Sequence, residues 1–138
     1  MAVTFREDVK MKMYLVAAGL IALAGEAFAD PVEGMWKTAP DDNGNWGYIQ
    51  VAPCADKICG TLVKSFNPDG SVYDSPNIGK LIIWDMVPNG EGAYKGQIWS
   101  PDADKVYKSK MTLAGDSLAV EGCVLFICRD GGTWVRLK

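Results

Sequence analysis

From Glu33 onward, apolar and polar residues alternate in short runs, and clusters rich in Gly, Pro, Asn and Asp separate the runs. Glu33–Thr38 opens the series with Gly34 and Trp36 on one face. Trp46–Ala52 sets Ile49 and Val51 opposite Tyr48 and Gln50, and Pro53 ends it because proline has no ladder N–H. Ile58–Phe66 follows and stops at Asn67-Pro68-Asp69-Gly70. Ser71–Gly79 has no period and reads as an irregular connection. Leu81–Val87 is the most apolar run and predicts the most buried strand. Ala93–Trp99 opposes Tyr94, Gly96 and Ile98 to Lys95, Gln97 and Trp99. In Val106–Leu113, Tyr107, Ser109, Met111 and Leu113 face away from Lys108, Lys110 and Thr112, and the lysines mark the solvent side. Leu118–Cys123 and Thr133–Leu137 complete the set.

This pattern predicts an all-β domain over residues 30–138, with about eight short antiparallel strands. No stretch carries a helical period and no linker divides the chain. Sequential strands with tight turns favour a meander. A meander closes most simply as a small up-and-down barrel, which also removes exposed sheet edges. A two-sheet sandwich is the alternative.

The segment before this domain differs in kind. Tyr14–Ala24 is apolar but too short to span a bilayer, Lys10 and Lys12 precede it, and Ala27-Phe28-Ala29 follows as a small-x-small site. Residues 1–29 therefore read as a secretory signal peptide, cleaved after Ala29. Glu7 and Asp8 are unusual there, and Met11 or Met13 is an alternative start. Asp30 stands where a lipoprotein carries cysteine, so no lipid anchor is expected. No later run is apolar enough to span a membrane, and the expected location is periplasmic or secreted.

Composition narrows the chemistry. The chain has no histidine, which excludes histidine-based triads and imidazole metal sites. Its formal charge of −3 gives no nucleic-acid footprint. Cys54/Cys59 and Cys123/Cys128 share one spacing at strand reversals, which fits two hairpin disulfides in an exported protein. Cross-pairings are not excluded by spacing. A four-cysteine zinc site needs a reducing compartment. Asp41, Asp42, Asp69, Asp102 and Asp104 sit in turn clusters without calcium-loop spacing. Asp85 interrupts the most apolar run and is expected to face solvent, opposite Trp84. No nucleophile elbow or phosphate loop occurs, and no metal or cofactor is expected.

The remaining candidates are aromatic and methionine side chains. Trp84, Met86, Tyr94, Ile98, Tyr107 and Met111 are the expected lining of an interior, whether filled core or small-molecule cavity. For so short a chain, that cavity is expected to be shallow.

Three groups of motifs resemble a bacterial secreted family known as domain of unknown function 2147. They are Asp30-Pro31-Val32-Glu33-Gly34-Met35-Trp36-Lys37, Gly96-Gln97-Ile98-Trp99-Ser100-Pro101, and the Lys105–Leu113 strand together with the cysteine surroundings. The resemblance covers nearly all of the mature chain and implies a compact β domain without assigned catalytic residues. A second resemblance is to lipocalin-like barrels, relatives in shape of the avidin barrel. There a Gly-x-Trp in the first strand meets an arginine in the last; Gly34, Trp36 and Arg136 correspond. The functional expectation is an exported, non-enzymatic barrel that binds a small apolar molecule. The alternative is a module that binds an envelope protein, such as an exported-protease inhibitor contacting it through residues 30–33 or 71–79. An enzyme working through carboxylates alone ranks third.

Overall fold

The alternating runs form strands in a computed structural model that describes residues 29–138, of which Val32–Lys138 pack as one unit. The chain reads β1 (Gly34–Lys37), β2 (Trp46–Cys54), β3 (Lys57–Phe66), β4 (Val72–Tyr73), β5 (Leu81–Pro88), β6 (Ala93–Ser100), β7 (Lys105–Ala114), β8 (Ser117–Val124) and β9 (Ile127–Arg136). No helix occurs among the described residues. The expected signal segment up to Phe28 and the alternative start positions lie outside them.

Every strand pairing is antiparallel, and the sheet closes on itself. β4 is a two-residue appendage of β3 within the irregular 71–79 connection. The other eight strands form an up-and-down barrel in sequence order, sealed where β1 meets β9. The sandwich alternative is thereby excluded.

The seam is short, with only Trp36↔Arg136 and Lys37↔Val135 in register. Side chains reinforce it. The Arg136 guanidinium lies 4.5 Å from the Trp36 ring centroid, its Nη1 donates to the Glu33 carbonyl at 2.9 Å, and its Nε donates to Asp116 Oδ1 at 3.1 Å. Trp36 is fully buried, and its indole N–H donates to the Val32 carbonyl at 2.9 Å. Gly34 leaves room for this clamp, since a Cβ there would stand 3.0 Å from Arg136 Nη1. Lys138 first, and Arg136 after it, hold the Asp116 carboxyl below the usual carboxylate range.

Around Trp36 the barrel is packed. Val32, Ile49, Val51, Ile58, Ile83, Met86, Tyr94, Met111, Leu118, Val120 and Trp134 form one core. Ser109 is buried among them and satisfies its hydroxyl by donating to the Glu121 carbonyl at 2.7 Å.

Two bulges depart from strict alternation. In β5 the register shifts between Trp84 and Val87, and Asp85 adopts φ 56°. That extra residue resets the phase. Ile83 and Met86 both become fully buried, Asp85 is exposed, and Trp84 turns to the outer face. Trp84 and Met86 therefore do not share a face, contrary to the plain alternation. Gly96 lies across from the bulge, and a Cβ there would come within 2.7 Å of the Trp84 carbonyl. In β9 the register shifts opposite Ala119–Glu121, where Gly132 has φ 99°. Gly131-Gly132 form this bulge, so the last strand starts at Ile127, not Thr133.

The disulfides are local, Cys54–Cys59 and Cys123–Cys128, with Cα atoms 5.6 and 4.0 Å apart. Each staples its own hairpin.

The clamp makes the barrel sensitive to the loss of Trp36. Trp36→Ala removes a fully buried indole and the arginine's ring partner, and is expected to cost about 3–5 kcal/mol. Denaturant unfolding monitored by far-UV circular dichroism checks this; a change near zero would contradict the clamp.

Candidate functional site

Successive turns of a meander alternate between barrel ends. The β1–β2, β3–β5, β6–β7 and β8–β9 connections therefore share one end, and at that end the interior is open. A cavity of about 1100 Å³ descends from these connections to the top of the core. Its floor and walls are Ile49, Leu62, Ile82, Ile98, Tyr107 and Trp134. Such a volume slightly exceeds the usual range of small-molecule pockets. The expected shallowness is corrected: small inward residues widen the upper barrel, and the connections raise its walls. Gly47, Ser65, Gly122 and Gly131 all border the space.

Register explains which side chains reach it. Ile98 pairs with Tyr107 across β6 and β7, and with Ile83 across β5 and β6. Gly122 is the inward position beside them on β8; a Cβ there would meet Tyr107 at 3.7 Å and Ile98 at 3.9 Å, ordinary contact distances. Ser65 on β3 also borders the cavity at 7% exposure, and its hydroxyl has no hydrogen-bond partner among the described residues.

The six residues expected to line an interior divide by level and by face. Ile98 and Tyr107 border the cavity. Met86, Tyr94 and Met111 are buried in the core beneath it. Trp84 lies on the outer face, in a shallow depression with Lys80, Leu81 and Trp99. Ile49, Leu62, Ser65, Ile82 and Gly122 are not among the expected lining residues, and Trp134 joins them in lining the cavity. Alternation gives the face a side chain takes but not its height along the barrel axis. The height was available from the parity of the turns.

The rim is acidic. Asp41, Asp42, Asp102 and Asp130 border the cavity, with Arg129 as its one cationic lining residue among the described residues. Burial first, then the negative charges of Asp41 and Asp42, push the Asp102 carboxyl above its ordinary pKa. Asp41 itself is a turn former, accepting from the Asn43 and Asn45 backbone N–H groups at 2.8 and 2.9 Å. No group of three or more His, Cys, Asp or Glu side chains among the described residues is arranged to hold a metal ion. No helix among them is long and apolar enough to cross a membrane.

Known proteins share this architecture. Residues 34–136 match the family described as uncharacterized protein conserved in bacteria (DUF2147). A solved structure described as protein HP1028 from the human pathogen Helicobacter pylori, belonging to the lipocalin family, superposes with a TM-score of 0.62. The two are 15% identical, over 80% of this chain and 85% of that one, a likeness of fold. No curated protein sequence matches the chain.

Burial of Asp102 and repulsion at the rim have a measurable sign. Because folding raises the Asp102 pKa, its ionised form opposes folding at neutral pH, and that penalty disappears once the carboxyl is protonated. Asp102→Asn is expected to raise the thermal midpoint slightly at pH 7. The gain should fade as pH falls through the raised pKa and be gone below the ordinary value of about 3.9. A midpoint lowered at pH 7 would contradict this.

Proposed function

The chain belongs to the DUF2147 family, and from its open barrel we propose that it is an exported, non-enzymatic protein that holds a small, largely apolar molecule. The carrying observation is the cavity of about 1100 Å³, floored by Ile49, Leu62, Ile82 and Trp134 and walled by Ile98 and Tyr107. Burial of apolar guest surface supplies roughly 25 cal/mol per Å² before the costs of association. The unpaired Ser65 hydroxyl offers one hydrogen bond, so the fitting guest is apolar with a single polar group.

Export is supported by the paired disulfides in a domain of a bacterial family, since such bonds persist in oxidising compartments. The signal-like residues 1–29 point the same way and give a periplasmic or secreted protein that carries no membrane span after cleavage. A module for an envelope protein is the second reading. One of its expected contact segments is committed elsewhere: Val32 is fully buried and its carbonyl holds Trp36.

The test is titration with an environment-sensitive apolar dye. Saturable binding with quenching of Trp134 is expected. Gly122→Leu should weaken binding at least tenfold with little loss of stability, because its Cβ meets only ordinary contacts while the rest of the side chain occupies the cavity. Non-saturable uptake, or equal binding by the variant, would refute the proposal.

A further inference from the structure

Two disulfide-stapled hairpins end in two-residue turns of the same kind and opposite character. β2–β3 turns through Ala55 and Asp56, and β8–β9 turns through Leu125 and Phe126. Each turn puts its first residue at positive φ, 58° for Ala55 and 55° for Leu125, a position that usually takes Asn or Gly. Leucine there combines strain with exposure. Phe126 is 100% exposed and Leu125 86%, and the paired Val124 and Ile127 beneath them are 57% and 67% exposed. Folding gains nothing from four consecutive apolar side chains held in water, and strain kept at such a place is a sign of use. Cys123 and Cys128 face each other directly below, so the tip stands on a stapled base.

We propose that the Leu125-Phe126 tip is a lipid anchor, inserting into the interfacial zone of a zwitterionic bilayer and bringing the barrel mouth against it. Shape favours this occupant. The tip is convex and four residues long, whereas a stable protein interface takes about 20–30 residues a side. An acyl layer deforms around a protrusion and needs no matching surface. Charge selects the headgroup. Four aspartates and one arginine border the cavity that Val124, Leu125 and Ile127 also border, so an anionic surface is repelled at the mouth. Those three apolar residues make a continuous path from the bilayer to the cavity, which gives the anchor its purpose in the guest-binding reading. Insertion itself stands on the tip alone.

The experiment uses the mature protein with both disulfides intact and vesicles of phosphatidylcholine and phosphatidylethanolamine. Flotation with the vesicles is expected. Phe126→Trp should show a blue-shifted emission over the wild-type background, quenched by brominated lipid. Leu125→Gly/Phe126→Asn puts glycine at the one positive-φ position of the turn, so its thermal midpoint should hold or rise while vesicle binding falls at least tenfold. Replacing a third of the lipid with phosphatidylglycerol should weaken binding. Absence of flotation, flotation unchanged in the double variant, tighter binding to the anionic vesicles, or tip-dependent association with a second copy or a protein in place of lipid would each overturn the proposal. Dye titration of the unmodified protein without vesicles separates this failure from that of the cavity: the barrel still binds dye if only the anchor is wrong.

Discussion

Closing the barrel requires its first and last strands to meet across a seam with only two register pairs, and the contact of Arg136 with Trp36 makes that meeting stable. β1 is four residues long and has little ladder of its own to contribute. The arginine therefore works on three sides: against the indole face, on the Glu33 carbonyl and on the Asp116 carboxylate. A cation–π contact of this kind contributes about 0.5–2 kcal/mol. Its larger effect is indirect, because an unsealed sheet would leave two open edges and a core exposed along one side.

The clamp also polarises the molecule. At its end, Val32, Trp36, Met86, Tyr94, Met111 and Leu118 fill the interior with large side chains. Toward the other end, Gly47, Ser65, Gly122 and Gly131 replace them and the interior opens. One barrel thus spends half its length on stability and half on space. The stapled hairpins follow the same division, with a polar tip at the filled end and an apolar one at the mouth. Function is expected where the structure departs most from what stability alone would choose: an unpaired buried hydroxyl, crowded aspartates, and leucine at positive φ.

Much of this was legible in the sequence. Alternation located the barrel strands, Gly34-x-Trp36 with Arg136 named the seam, and the repeated cysteine spacing named both staples. What was not legible is instructive in physical terms. The β5 bulge adds one residue and puts Trp84 and Met86 on opposite faces; Asp85 accepts positive φ more readily than most side chains, but a lone Asp in an apolar run reads equally as a solvent-facing strand residue. The bulge at Gly131-Gly132 carries the last strand back to Ile127, six residues before the start that alternation gave at Thr133. The cavity residues were half-legible. Faces follow from a period of two, but Met111 at the core and Tyr107 at the mouth lie on the same face of β7, separated only by height.

The account rests on an interior that is occupied in the cell, and native mass spectrometry of the protein purified from its own envelope fraction tests that most directly. The expected spectrum shows the folded chain carrying a single small-molecule adduct that is released on unfolding. The folded chain at its bare mass, in protein never exposed to detergent or organic solvent, would contradict it.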